Sequence, residues 1–257
     1  MTMVVPRANR YHVPGHTYHL THRCHDRQFL FRFARDRERY RLKLWESLRD
    51  AEVWLLAYCI TCNHVHLLAR AESSDGIACW LQEVQGWLAQ FYNRRKGRSG
   101  AFWEGRYHST LIDSDEHLQR CMTYIELNMV RAGAVPHPEQ WPWCSYHEWM
   151  GQRQRRALVN LKEGLEFFGN NPLQEFQANY RTRIEEAIAK NQLQREPCWT
   201  ESIAVGREQF VKEIASRIRY RQTLDSHQEE NGSWVLRDAS PMDSNAHTFP
   251  TRHVPKG

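Results

Sequence analysis

Long apolar stretches are missing from this chain of 257 residues. The longest nearly unbroken one, Val53 to Cys62, is ten residues, about half of the ~20 that a membrane-crossing helix takes. Residues 1–10 have no apolar core, and Pro6, Arg7 and Arg10 interrupt them, so no secretory leader is expected there. Cysteine is sparse: seven copies, an odd number scattered from Cys24 to Cys198, do not make a secreted disulfide framework. A phosphate-cradling GxxxxGKS or GxxxxGKT loop is absent, although Gly97 and Gly100 punctuate a basic stretch. No internal repeat is found. Strong net charge is lacking too, since 35 Lys+Arg against 30 Asp+Glu leave only +5. These absences exclude a helical membrane protein, a secreted mini-protein and a wholly disordered chain. A mildly basic cytoplasmic protein with no membrane partner is the expectation.

What is there is more pointed. The chain holds ten Trp and fourteen His. Charge is clustered locally, first at Arg35, Arg37, Arg39, Arg41 and Lys43, then at Arg94, Arg95, Lys96 and Arg98. The first run alternates with Asp36 and Glu38 and reads as a solvated helix face. The second sits near Phe91, Tyr92 and Trp103, a mixture that suits phosphates and bases, although an exposed basic loop explains it equally well. Hydrophobic periodicity predicts a strand at His19 to Cys24, a helix over residues 36–51 and a buried strand over Val53 to Ile60. A turn at Thr61-Cys62-Asn63 leads to a second strand over His64 to Arg70. A helix follows at 77–95, then a strand at Phe102 to Ile112 and a helix from Glu116 to near Gly133. Strand, helix, strand, strand, helix, strand is the split βαβ order. It predicts an α+β, ferredoxin-like (RRM-like) antiparallel four-stranded sheet with helices on one face. Residues 1–150 form this unit, 151–224 an α-helical extension and 225–257 a polar, disordered tail. Residues 200–219 could make a small helix-turn-helix, though a packing helical extension fits as well.

Three features could carry chemistry. His64-Val65-His66 places two imidazoles on one face of a strand, because side chains alternate, and such a pair can share a divalent metal. An incidental pair of histidines explains the pattern as readily. Cys59 and Cys62 precede it with zinc-like spacing, but in a continuous strand Cys59 faces away from the histidines. On the helix from Glu116, Leu118, Cys121, Met122, Ile125 and Met129 make a core stripe. Arg120, Tyr124, Asn128 and Arg131 fall on the opposite face, with Tyr124 and Asn128 one turn apart. A phenol, an amide and two guanidiniums suit a phosphodiester, while a solvated helix face is the plainer alternative. The remaining histidines, His12, His16, His19, His22 and His25 among them, read as incidental.

Taken together, these segments resemble the HUH single-tyrosine transposases similar to insertion sequence 200. Asn63-His64-Val65-His66-Leu67-Leu68 looks like the family's signature, and Tyr18-His19-Leu20-Thr21-His22-Arg23 resembles its first strand. Tyr92-Asn93-Arg94-Arg95, Gly97-Arg98-Ser99-Gly100 and Trp103-Glu104-Gly105-Arg106-Tyr107 resemble the segment before its last strand. Residues 124–133 and Trp141-Pro142-Trp143-Cys144-Ser145 resemble the catalytic helix and its exit. Over residues 5–150 the match is most similar to the REP-associated tyrosine transposases. Thr61-Cys62 and Met129 stand where the family has Met-Pro and Pro, positions expected to supply no chemistry.

The resemblance implies that Tyr124 is the nucleophile and that His64, His66 and Asn128 hold Mg²⁺ or Mn²⁺. It implies cleavage and rejoining of single-stranded DNA at palindromic repeat hairpins through a 5′-phosphotyrosine, in a nucleoid-associated setting. Arg94, Arg95, Arg98, Arg106, Arg120 and Arg131 are the candidate DNA contacts. Tyr107 is the second-choice nucleophile. A domesticated binder of the same hairpins, silent in catalysis, is the alternative function. Monomer and homodimer both stay open.

Overall fold

The computed structural model describes residues 13–73, 75–169, 171–218 and 224–239. Strand β1 (His16–Arg23) alternates Tyr18, Leu20 and His22 on one side with Thr17, His19, Thr21 and Arg23 on the other. It leads through α1 (Ala34–Leu48) to β2 (Val53–Ile60), which turns into β3 (His64–Ala71). Helix α2 (Gly76–Lys96) crosses back to β4 (His108–Ile112). The spatial order β2-β3-β1-β4, antiparallel throughout, is the expected ferredoxin-like sheet. Helices α1 and α2 cover the face that carries Tyr18, Leu20, Tyr58, Ile60, Val65 and Leu67, and this makes the first core. Helix α2 runs one residue past the expected end and stops at Gly97, whose positive φ of 58° is the left-handed conformation glycine reaches without strain.

The sequence-based expectation of helices on one face, plus a catalytic helix, is exceeded on the other face. Helix α3 (Glu116–Glu126) packs there on β2, β3 and β4, and the single turn α4 (Asn128–Arg131) continues from it. Short helices α5 (Tyr146–Trp149) and α6 (Leu161–Glu166) follow, and then the longer α7 (Leu173–Ala189). Leu56, Cys59, Leu68, Met122, Ile125, Trp149, Phe176 and Trp199 close a second core on this side. The sheet is thus sandwiched between two helical layers, each burying its own apolar set.

The C-terminal region differs most from expectation. Helix α8 (Cys198–Glu201), strand β5 (Ala204–Gly206) and helix α9 (Glu208–Arg217) replace the suggested helix-turn-helix, because Val205-Gly206 is strand and not turn. Arg219, the last residue of that suggestion, lies outside the described residues. The disordered tail is also corrected at its start. Leu224–Gln228 (β6) pairs with Trp234–Asp238 (β7), and β7 pairs with β5. Strand β5 in turn runs parallel to β4, so one seven-stranded sheet spans all three predicted segments. The free edge of β4 supplies the reason: its unpaired N–H and C=O groups are satisfied by β5. Residues 240–257 of the predicted tail lie outside the described residues.

The join is tight at Gly206. A Cβ placed there would come 2.6 Å from Phe210 Cδ1 and would also collide with Asp113. Asp113 is held by Arg207, whose Nε and backbone N donate to Oδ2 at 2.7 and 3.0 Å. Gly206→Ala is therefore expected to destabilise the fold by ~2 kcal/mol or more through overpacking. Chemical denaturation checks this, and an unchanged midpoint would show that the edge yields freely.

Candidate active site

Strand pairing places the site on the second face, at the ends of β1 and β3. His66 stands opposite Thr21 of β1 and Cys59 of β2, and Thr21 stands opposite His108 of β4. His64 stands opposite Arg23. Since directly opposed residues share a face, one row carries Cys59, His66, Thr21 and His108 side by side. Cys59 thus lies on the His66 face after all, because the turn at residues 61–63 reverses the chain and sets a new phase. It is wholly buried, and burial pushes its thiol well above the usual range. A zinc-binding thiolate is disfavoured there.

The histidines are held from both sides. Thr61 Oγ1 donates to the His64 carbonyl at 2.7 Å, so the same oxygen accepts from His64 Nδ1 at 2.9 Å. Asn63 Oδ1, an acceptor only, lies 2.7 Å from the same nitrogen. His64 therefore carries its proton on Nδ1, which leaves a lone pair on Nε2. Thr61, a position expected to supply no chemistry, thus sets the tautomer of His64. Burial lowers the imidazole of His64 to about 4, the first of several causes that include Arg23 and Arg131, and lowers His66 well below its ordinary value. Both rings are neutral near pH 7.

Helix α3 and the turn α4, which share the single helix expected over 116–133 and are divided at Leu127, bring up the remaining groups. Asn128 Nδ2 lies 2.8 Å from His66 Nε2. The rings of His64 and His66 are 4.8 Å apart. Two neutral imidazoles converging on one amide group make a donor set that fits a divalent cation once the amide turns its oxygen inward. Among the described residues no group of three or more His, Cys, Asp and Glu is gathered for a metal. The set relies on Asn128 as its third member.

The Tyr124 ring centre lies 6.2 Å from that of His66. The face that carries Tyr124 and Asn128 is not solvated, as the helix periodicity alone suggests: the two residues are only 6 % and 8 % exposed. Trp199 of α8 packs 6.3 Å from Tyr124, and the Arg131 guanidinium lies 4.1 Å over the phenol ring. Burial raises the phenol above its ordinary value, and Arg131 pulls it partly back. Tyr107, the second-choice nucleophile, is buried in the first core, 6.4 Å from His22.

These groups open into a cleft of about 780 Å³ lined by His64, His66, Tyr124 and Asn128. Arg23, Arg27, Arg106, Arg131 and Arg195 also line it, against Glu104 and Glu201. Of the six candidate DNA contacts, Arg106 and Arg131 are here. Arg120 borders a neighbouring cavity, donates to Ser233 and faces Glu196. Arg94 and Lys96 end α2 on the far side of the sheet, Arg95 is paired with buried Asp36, and Arg98 bonds Asn93 and the Ala101 carbonyl. Basic residues at a helix C-terminus complement its dipole, which accounts for this cluster without a phosphate. Sequence reasoning missed Arg23, Arg27 and Arg195. Strand parity could have found Arg23, which shares a face with Thr21.

Parts of the chain are similar to known proteins. Residues 12–128 match the family model described as "Transposase IS200 like". A "Putative REP-associated tyrosine transposase" of Haemophilus influenzae is 31 % identical over 102 residues, 36 % of this chain. The chain spans 58 % of that relative's length. A solved structure of a REP-associated tyrosine transposase bound to a REP hairpin aligns with a TM-score of 0.49 at 19 % identity. It covers 61 % of this chain and 90 % of its own.

Proposed function

We propose that residues 12–128, a segment of the IS200-like transposase family, work with the C-terminal extension as a metal-dependent single-stranded DNA endonuclease and strand transferase. The observation that carries this reading is the convergence of His64, His66, Asn128 and Tyr124 on one arginine-lined cleft. Its substrates are palindromic repeat hairpins with a flanking single strand. Arg23, Arg27, Arg106 and Arg131 attract the phosphates, and none of them forms an ion pair among the described residues.

The chemistry follows from the residues. His64, His66 and Asn128 would hold a divalent ion, Mg²⁺ or Mn²⁺, which would supply charge stabilisation at the scissile phosphate. The Tyr124 oxygen attacks phosphorus and forms a 5′-phosphotyrosine. The bond from phosphorus to the 3′ oxygen breaks, and that oxygen leaves as a hydroxyl after taking a proton in place of the one the phenol lost. Attack by another 3′-OH reverses these bonds and reseals a strand without a nucleotide cofactor. Arg131, over the phenol ring, favours the ionised tyrosine and counters the effect of burial.

The test is a covalent one. Incubation of the protein with single-stranded repeat hairpins and Mn²⁺ is expected to give a protein–DNA adduct that survives denaturing electrophoresis and disappears with chelator. Hairpin binding with no adduct under any metal would instead establish the silent binder. An adduct indifferent to chelator would remove the metal role of His64 and His66.

A further inference from the structure

His19 has no part in the steps above, yet it is wholly buried beside the site, its ring stacked 5.1 Å from that of His66. Its Nδ1 lies 2.8 Å from the Trp199 carbonyl oxygen, and a carbonyl only accepts, so Nδ1 carries a proton. His19 is fully enclosed and meets no carboxylate among the described residues, which keeps its ring neutral with a single N–H. Its Nε2 is therefore an acceptor. That nitrogen lies 2.9 Å from His66 Nδ1, which must donate to it. The proton of neutral His66 is thus fixed on Nδ1 and its lone pair on Nε2, facing the cleft. The 2.8 Å contact from Asn128 Nδ2 agrees, because an amide N–H needs a lone pair to meet.

We infer that His19 is a positioning residue: clamped by the Trp199 carbonyl, it holds His66 in the tautomer that presents a free Nε2 lone pair to the cleft. The value of that lone pair as a metal ligand rests on the proposed function. The tautomer itself does not. A buried partner that fixes the tautomer and orientation of a ligating histidine is worth about 10–100-fold in metal affinity in known metal sites. The clamp also ties the two parts of the chain together. Trp199 lies in α8, beyond the segment that matches the family model, so the extension sets the state of a residue within that segment.

Two measurements on the full chain test this. In metal-free wild type, two-bond ¹H–¹⁵N correlations are expected to show His66 protonated on Nδ1. Protonation on Nε2 would overturn the inference. Calorimetry with Mn²⁺ is expected to show His19→Phe weakened by about 10–100-fold. His19→Gln, whose Oε1 stands where Nε2 was, should recover most of the loss. A folded His19→Phe variant with wild-type Mn²⁺ affinity would also overturn it. If His19→Phe does not fold, the wild-type spectrum decides alone. Wild type that shows the Nδ1–H tautomer but binds no Mn²⁺ would sink the metal-dependent function and leave the tautomer assignment standing.

Discussion

Tyr124→Phe is expected to bind repeat hairpins as wild type does and to form no covalent adduct, a loss of at least ~10³-fold in cleavage. The change removes one oxygen and nothing else. Tyr124 packs through its ring against Trp199, Arg131 and the imidazoles, and phenylalanine keeps each of those contacts. Fold and cleft should therefore be intact, and a binding assay on the same preparation verifies that. The pH dependence adds a second readout. Burial holds the Tyr124 phenol above its ordinary value, so at pH 7 it is protonated and only a small fraction attacks. Cleavage should rise with pH through the neutral and mildly alkaline range. Arg131→Ala removes the group that pulls the phenol down, so it should displace the rising limb to higher pH. Tyr107→Phe, on the other face of the sheet, should leave adduct formation unchanged. An adduct that survives Tyr124→Phe would end the assignment of the nucleophile.

The parts of this site that were legible in the sequence are those set by local periodicity. Alternation in a strand puts His64 and His66 on one face, and four residues of helix put Tyr124 above Asn128. The order of elements gave the four-stranded core for the same reason. What was not legible depends on partners far away in the chain. The face bearing Tyr124 reads as solvated because its cover, Trp199, lies 75 positions downstream. His19 reads as incidental because its meaning lies in the Trp199 carbonyl and the His66 ring. Strand β6 has the sequence Leu-Asp-Ser-His-Gln. Such a polar edge strand carries little hydrophobic signal, and only its pairing with β7 defines it. The Arg94–Arg98 cluster shows a different limit of local reading. A basic run looks the same in sequence whether it serves a phosphate, a helix dipole or a buried aspartate such as Asp36.

The extension's hold on the domain has its own point of failure, at Glu148, and Glu148→Ala is expected to cost ~4 kcal/mol. The carboxylate is buried at 1 % exposure and its oxygens are fully used. Oε1 accepts from Tyr58 Oη at 2.6 Å, and Oε2 accepts from the backbone N–H groups of Leu158 and Val159 at 2.7 and 2.8 Å. Alanine would strand two buried backbone donors and a buried phenol, each worth ~1–3 kcal/mol when unsatisfied. A domain of this size should then melt roughly 10 °C lower. Glu148→Gln keeps an oxygen for part of this network and should lose less. The sign of the pH effect follows from the raised carboxyl. Burial is the main cause, and the hydrogen bonds from Tyr58, Val159 and Leu158 offset it only in part. The folded state therefore binds the Glu148 proton more tightly than the unfolded chain does. Wild-type stability gains from this group as pH falls toward ~4.5 and loses as pH rises through the folded value. Glu148→Gln has no such group to titrate, so the stability of wild type relative to it should grow between pH 7.5 and pH 5. Denaturation curves of both proteins at the two pH values measure that difference. A difference that shrinks as pH falls would mean that the ionised carboxylate is the form the fold prefers.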